Sequence, residues 1–371
     1  MPAPTPPKVA IVHDWLVGGG AERVIQELHE MFPDAPIYTS YCTDEWRQRL
    51  DNKVVTGFLQ HWPFSKLRKF AGLLRIWWFG HLDLSGYDIV ICSTGNGEAK
   101  AIKVPEGTTY ICYCHAPTHY FWRHYDKYLS DPGFGAFDPL ARLGLRLLVG
   151  PLRRWDKKAA QRPDCFIANS THTQAEIKTF YGRDSVVVHP PIDIARFTTK
   201  PGKYSRQGFV TAGRQTPYKR NDLLVEACTK LDVPLTVIGR GPEHDRLVAM
   251  AGSSVTFLTN VTDAEMPEHF AKAKAFLFAA YEDFGVTPVE AMAAGTPVIA
   301  YSQGGARDYI IPGKTGVFFD EQTADALQGA IKSFDNTKVQ EREVAAKAVT
   351  FAPDVFRQKM HAIIDEYTSK K

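Results

Sequence analysis

The chain has 371 residues, 44% hydrophobic and 23% charged, enough for two α/β domains that each bury a core of their own. A formal net charge of +3 at pH 7 gives no argument for nucleic acid as a partner. No apolar run is long enough to span a bilayer, the proline-rich residues 1–7 lack the apolar centre of a signal peptide and read as a short disordered lead-in, and the six scattered cysteines suit reduced thiols in a cytoplasmic protein.

Residues 8–14 read as a first buried strand, and Val24, Ile25, Leu28 and Met31 carry helical spacing. Between them, Gly18, Gly19 and Gly20 form a turn in which backbone amides can come close to a phosphate or sugar. A turn chosen only for packing is the competing reading. Further strands are expected at 37–41, 54–58, 88–93, 108–114, 165–168 and 186–189. Cys112, Cys114 and His115 invite a metal, but alternation along a strand puts both cysteines on one face and His115 on the other. No second Cys/His cluster supplies further ligands, so no metal is expected.

Paired prolines at Pro190 and Pro191 stiffen an extended crossing, which places a boundary there: 1–190, then 191–352 and a terminal amphipathic stretch, 353–371. The second part is expected to have strands at 208–214, 235–239, 255–258, 275–280, 297–301 and 316–319, with helices such as 221–231 and 263–272 between them. Strands alternating with helices imply parallel sheets.

The most informative stretch runs from Tyr281 to Ala300. An apolar run delivers Glu282 and Asp283 into a turn at Gly285, and a helix follows that carries Glu290. The amides of Gly285 and Val286 at that helix start are suited to an anion. Two carboxylates beside an anion site suit a sugar carried on a diphosphate. Upstream, Arg214 and Lys219 follow a strand end and can neutralise two phosphates without a metal.

Glu282 and Glu290, with seven residues between them, and the run Gly213-Arg214-Gln215-Thr216-Pro217-Tyr218-Lys219-Arg220 resemble the retaining glycosyltransferases of the family 4 type. The resemblance implies the GT-B fold, two Rossmann-like domains with parallel sheets facing a central cleft, an N-terminal domain for the acceptor, a C-terminal domain for the nucleotide sugar, and a last helix crossing back. It assigns Arg214 and Lys219 to the phosphates, Glu290 to the ribose and Glu282 to the donor sugar, with Gly19, Gly20, Phe284, Gly285 and Val286 lining the donor. The wording around Cys114-His115-Ala116-Pro117 is similar to a mannosyltransferase pattern in which His115 contacts the donor sugar. GDP-mannose is the donor this implies, with no cofactor and no metal. His119 and Arg123 depart from that pattern where an acceptor would enter.

Two stretches mix basic and large apolar residues: 61–79, with Lys66, Arg68, Lys69, Trp77 and Trp78, and 140–158. They suit an anionic membrane surface, and domain core with solvated charges is the alternative. The expectation is a hexosyltransferase at the inner membrane face acting on a lipid-linked or glycolipid acceptor. A UDP-sugar enzyme of the same fold and a non-catalytic sugar-nucleotide-binding module remain as alternatives. A nucleic-acid or membrane-remodelling protein would leave the paired glutamates unexplained.

Overall fold

The computed structural model describes residues 6–68, 71–130, 135–199, 202–335 and 338–371. The chain divides into two compact units, Met1–Pro190 with Arg357–Lys371, and Pro191–Phe356. Each is built on a parallel sheet.

In the first unit β1 (Val9–His13) leads to α1 (Ala21–Met31), β2 (Ile37–Thr39), α2 (Asp44–Arg49), β3 (Val54–Val55) and α3 (Gly72–Phe79). Then come β4 (Ile89–Thr94), β5 (Thr109–Cys114), α4 (Tyr125–Ser130), α5 (Asp138–Ala159), β6 (Cys165–Ala168), α6 (Thr171–Tyr181) and β7 (Val186–Val187). The sheet order is β3-β2-β1-β4-β5-β6-β7. Strands β1, β4, β5 and β6 are buried along their whole length, as continuous apolar runs in a doubly covered sheet should be. The stretch expected as a strand at 54–58 ends early, because the chain turns at Gly57 into a 3-10 turn, Phe58–Gln60. Cys112 and Cys114 lie buried in the core with Cys92, so these thiols are packing groups.

The second unit runs α7 (Ile194–Phe197), β8 (Phe209–Ala212), α8 (Asn221–Leu231), β9 (Leu235–Ile238), α9 (His244–Met250), β10 (Val255–Leu258) and α10 (Met266–Lys272). It continues with β11 (Ala275–Phe278), α11 (Val286–Ala293), β12 (Val298–Tyr301), β13 (Gly316–Phe319), α12 (Ala324–Phe334) and α13 (Glu341–Val349). The order is β10-β9-β8-β11-β12-β13. Side chains of β11 alternate between two cores: Phe276 and Phe278 join one, Ala275 and Leu277 the other. The last helix, α14 (Pro353–Thr368), starts in this unit, and from Arg357 onward the chain belongs to the first. There Arg357 pairs with Glu27 at 2.7 Å and Glu30 at 2.9 Å, and Lys371 with Asp164 at 2.8 Å.

In each sheet the strand order reverses once, between β1 and β4 in the first unit and between β8 and β11 in the second. Loops leaving the carboxyl ends of such strands splay apart there and leave a crevice for a ligand.

Candidate active site

At the switch point of the second unit, the loop after β8 carries Arg214 and Lys219, and the loop after β11 carries Glu282. Lys219 Nζ forms an ion pair with Glu282 Oε1, both side chains largely buried. Burial alone would lower the lysine pKa, but the Glu282 carboxylate, and Tyr218 after it, lift it above the ordinary value, so Lys219 stays an ammonium. Arg214 is exposed and makes no hydrogen bond or ion pair with the described residues. A free guanidinium fork thus stands on the same loop as a clamped ammonium.

The loop from β11 enters α11 through Gly285, whose φ of +87° places it in the left-handed region. A Cβ there would lie 2.9 Å from Phe278 and 3.0 Å from the Tyr309 hydroxyl. No side chain caps α11, and the amides of Gly285, Val286 and Thr287 find no acceptor among the described residues. The positive end of the helix is therefore open to an anion. Phe284 is buried beneath this corner against Tyr309, with ring centroids 5.7 Å apart. Glu290 lies on the second turn of α11 and is 5% exposed.

Three further features shape this site, the last two of which were not legible as site features in the sequence. Gly304 and Gly305 let the turn after β12 touch the β11 loop, Gly305 N donating to Glu282 O at 2.9 Å, and a Cβ on Gly304 would sit 2.4 Å from that same carbonyl. The hydroxyl of Tyr309 is fully buried without a hydrogen-bond partner among the described residues, and burial, then Glu282 and Asp308, push its pKa well above that of a free tyrosine. Gln215, fully buried, donates to Gly239 O at 2.7 Å and binds His244 Nδ1 at 2.8 Å, which ties the loops after β8 and β9 together.

In the first unit the switch point is organised by Asp14 at the end of β1. Its buried carboxylate accepts from Thr94 Oγ1 at 2.9 Å and from the amides of Gly95, Asn96 and Ala99 at 2.8, 2.9 and 2.8 Å. His115 follows β5 beside this loop, half-buried, its Nε2 2.8 Å from Ser93 Oγ. Gly19 and Gly20 are exposed at the start of α1. Glu22 Oε1 takes the neighbouring amides of Gly18 at 2.8 Å and Val17 at 3.3 Å, so part of the glycine turn is already satisfied from within.

The sequence matches known families over nearly the whole chain. Residues 18–196 match the model of Glycosyltransferase Family 4, and residues 194–349 that of Glycosyl transferases group 1. The chain belongs to the family 4 glycosyltransferases, with the GT-B fold. A GDP-mannose-dependent alpha-(1-6)-phosphatidylinositol monomannoside mannosyltransferase of Mycolicibacterium smegmatis is 29% identical over 192 residues, 44% of this chain and 50% of that protein. A D-inositol 3-phosphate glycosyltransferase of Mycobacterium bovis is 26% identical over 256 residues, 60% of this chain and 53% of that protein. The chain thus spans about half the length of the curated relatives it matches. Among solved structures, HepE of Anabaena in complex with UDP and glucose superposes with a TM-score of 0.68 at 18% identity, covering 97% of this chain and all of that one. Sucrose-phosphate synthase of Thermosynechococcus elongatus gives 0.69 at 16% identity, covering 98% and 100%.

For this family member the residues expected at the acceptor and membrane separate into two groups. Arg123 is paired with Glu176 at 3.0 Å, and His119 stacks on His124 with centroids 5.7 Å apart. Lys66 and Arg68 are exposed, Arg68 over the Tyr41 ring, and Trp77 is half-exposed against His81. Lys69 lies outside the described residues. Trp78 is the correction: it packs into the core with Phe79 and Leu59, because helical spacing turns it a hundred degrees away from Trp77, and it cannot belong to a surface.

Proposed function

We propose that this protein is a retaining hexosyltransferase that moves mannose from GDP-mannose onto a lipid-linked or glycolipid acceptor, working on the inner, cytoplasmic face of the membrane. One observation carries the donor half of this reading: the unpartnered Arg214, the Lys219–Glu282 pair and the uncapped start of α11 stand on loops that leave one switch point. Departure of a nucleoside diphosphate leaves charge on its phosphates, and fixed cations and amides that meet this charge lower the barrier. Arg214 and Lys219 supply two positive charges with no metal required of them, and the amides of Val286 and Thr287 add donors.

Glu282 then has a second task. It holds Lys219 in place before the donor arrives, and its other oxygen is suited to accept from hydroxyls of the sugar, while Glu290 is suited to the ribose. His115, oriented by Ser93, contacts the sugar in this reading. Retention proceeds through an oxocarbenium-like transition state, with the leaving phosphate helping to deprotonate the acceptor on the same face. The choice of GDP-mannose is supported by the mycobacterial relative named for that donor.

A thermal-shift panel with GDP, UDP, GDP-mannose and UDP-glucose, with magnesium and with EDTA, tests this on the parent and on Arg214→Ala. A ligand at a hundred times its dissociation constant should stabilise the protein by about 2.7 kcal/mol. A GDP-selective shift that survives EDTA and disappears in Arg214→Ala is expected. A UDP-selective shift would overturn the mannose assignment and keep the transferase, and no shift with any nucleotide would overturn the donor site itself.

A further inference from the structure

Helix α5 is the longest in the molecule's described part, 22 residues, yet only Asp156 and Ala159 in its last turn are buried. Leu140, Leu143 and Leu147, at positions that share one helix face, are 68%, 54% and 67% exposed, with Leu148 beside them at 44%. The helix carries six cations, Arg142, Arg146, Arg153, Arg154, Lys157 and Lys158, against Asp138 and the buried Asp156. Arg146, Arg154, Lys157 and Lys158 are exposed and form no ion pair among the described residues. No helix among the described residues is long and apolar enough to cross a membrane, and α5 is interrupted by charge and by Pro151. A leucine face bordered by unpaired cations is complementary to one kind of surface, the headgroup boundary of an anionic bilayer, where apolar side chains are buried and phosphates meet arginine and lysine.

Helix α3 also carries exposed apolar side chains. Leu73, Leu74 and Trp77 of α3 face solvent. Both helices pack on one 3-10 turn, Glu98–Ala101, and each is fastened to it by a buried ion pair: Arg75 of α3 to Glu98 at 2.7 Å, Asp156 of α5 to Lys100 at 2.9 Å. Asp156 also accepts from Thr118 Oγ1 at 3.1 Å and Trp122 Nε1 at 2.8 Å, in the loop that begins at His115. The amide of Ala99 in the same turn is held by Asp14.

We propose that the leucine face of α5 seats in the acyl-chain boundary of an anionic bilayer, with α3 as a second contact, and that the Glu98–Ala101 turn keeps this face in fixed register with the His115 loop. This deepens the membrane-acceptor part of the reading above and rests on it for its purpose, but its test does not depend on catalysis. Register matters because a lipid-borne acceptor enters at a depth set by the bilayer, and two buried charge pairs leave little freedom for the helices to tilt independently.

The experiment is co-sedimentation of the full chain with phosphatidylcholine vesicles and with vesicles that also contain phosphatidylglycerol, at low and high salt, for the parent, the double variant Leu143→Asp/Leu147→Asp and the double variant Arg146→Glu/Arg154→Glu. Expected are binding only to the anionic vesicles, weakening by salt, abolition in the leucine variant at every salt concentration, and a loss of about tenfold or more in the arginine variant. Both variants should keep the parent's thermal midpoint and its nucleotide-induced shift, which separates loss of docking from loss of fold or of the donor site. Failure of the parent to bind anionic vesicles, or unchanged binding by the leucine variant, would overturn the proposal. So would lipid-free self-association that Leu143→Asp/Leu147→Asp abolishes, because the occupant would then be a second copy of the chain.

Discussion

Helices α11 and α5 face opposite demands. The first has eight residues and buries six of them, Pro288 through Ala293, so its position is fixed and its uncapped first turn is held at the end of the loop that leaves the central strand β11. The second is nearly three times as long and buries two. Packing alone positions α11, whereas α5 is held at one end by charge: Asp156 accepts from Lys100, Thr118, Trp122 and the Tyr181 hydroxyl, all within one buried knot. A helix that must present a rigid anion site gains from complete enclosure. A helix that must offer its side chains to something outside the molecule needs a firm foot and a bare shaft.

The comparison is tested most strongly at that foot. Asp156→Asn leaves the Lys100 ammonium buried without its carboxylate, and breaking such a pair costs about 3–5 kcal/mol, to be read by chemical denaturation. The matching change in α11 is Met292→Ala, fully buried, at about 2–5 kcal/mol for the truncated volume and the cavity it leaves. If Asp156→Asn were neutral, α5 would not be held by charge and the contrast would fail.

Next in size is the chemistry. Lys219→Ala should lower sugar transfer, or donor hydrolysis without acceptor, by about a hundredfold or more, since a donor to developing phosphate charge is lost. It should leave vesicle binding unchanged. The same substitution strands Glu282 without its partner, so Lys219→Arg, which restores the charge, is expected to recover part of the activity.

What could be read from sequence follows from how local each signal is. Strand β6 falls where its apolar run places it, residues 165–168, because a buried parallel strand carries its own signal, and the partly exposed edge strand β10 also falls at its expected 255–258. The donor residues were legible as individuals: Arg214, Lys219, Glu282 and Glu290 all stand in a strand-end loop or at the start of a helix. Their pairing was not, because Lys219 meets Glu282 only after β8 and β11 are laid side by side. Asp14 escaped notice for the same reason, since most of its partners are backbone amides that any sequence would offer. In α5, Gly144, Gly150 and Pro151 weaken the helical signal, so the stretch 140–158 declared its charge and apolarity but not its form. The burial that separates Trp77 from Trp78 depends on which face of α3 meets the core, which periodicity alone does not decide.

A smaller effect belongs to the other fastening of the Glu98–Ala101 turn. Burial raises the Glu98 carboxyl to about 7 from an ordinary 4.5, with Arg75 pulling it down and Asp14 pushing it up. Between those two values the native protein retains a proton that the unfolded chain releases. This contribution to stability is therefore fully present below about pH 4.5 and is lost as the pH rises toward 7, above which it adds no further slope. Denaturation midpoints measured across that window should show this falling component in the parent and not in Glu98→Gln, which cannot titrate. An identical pH profile in both would mean that Arg75 holds Glu98 ionised throughout.

The smallest expected effect is the most discriminating for the comparison. Leu147→Ala removes a large apolar side chain that faces water in the isolated protein, so its stability in chemical denaturation should stay within about 0.5 kcal/mol of the parent. The same truncation in a packed helix costs several times that. If Leu147→Ala destabilised the free protein as Met292→Ala does, the leucine would be buried in solution against some part of this chain or a second copy, and α5 would have no bare face to offer. If it leaves stability untouched and weakens vesicle binding, the side chain is working only where it meets the bilayer. At about 0.8 kcal/mol for each buried methylene, full insertion of the three lost carbons corresponds to a fall of roughly fiftyfold in affinity, and a smaller fall measures how shallowly the helix lies.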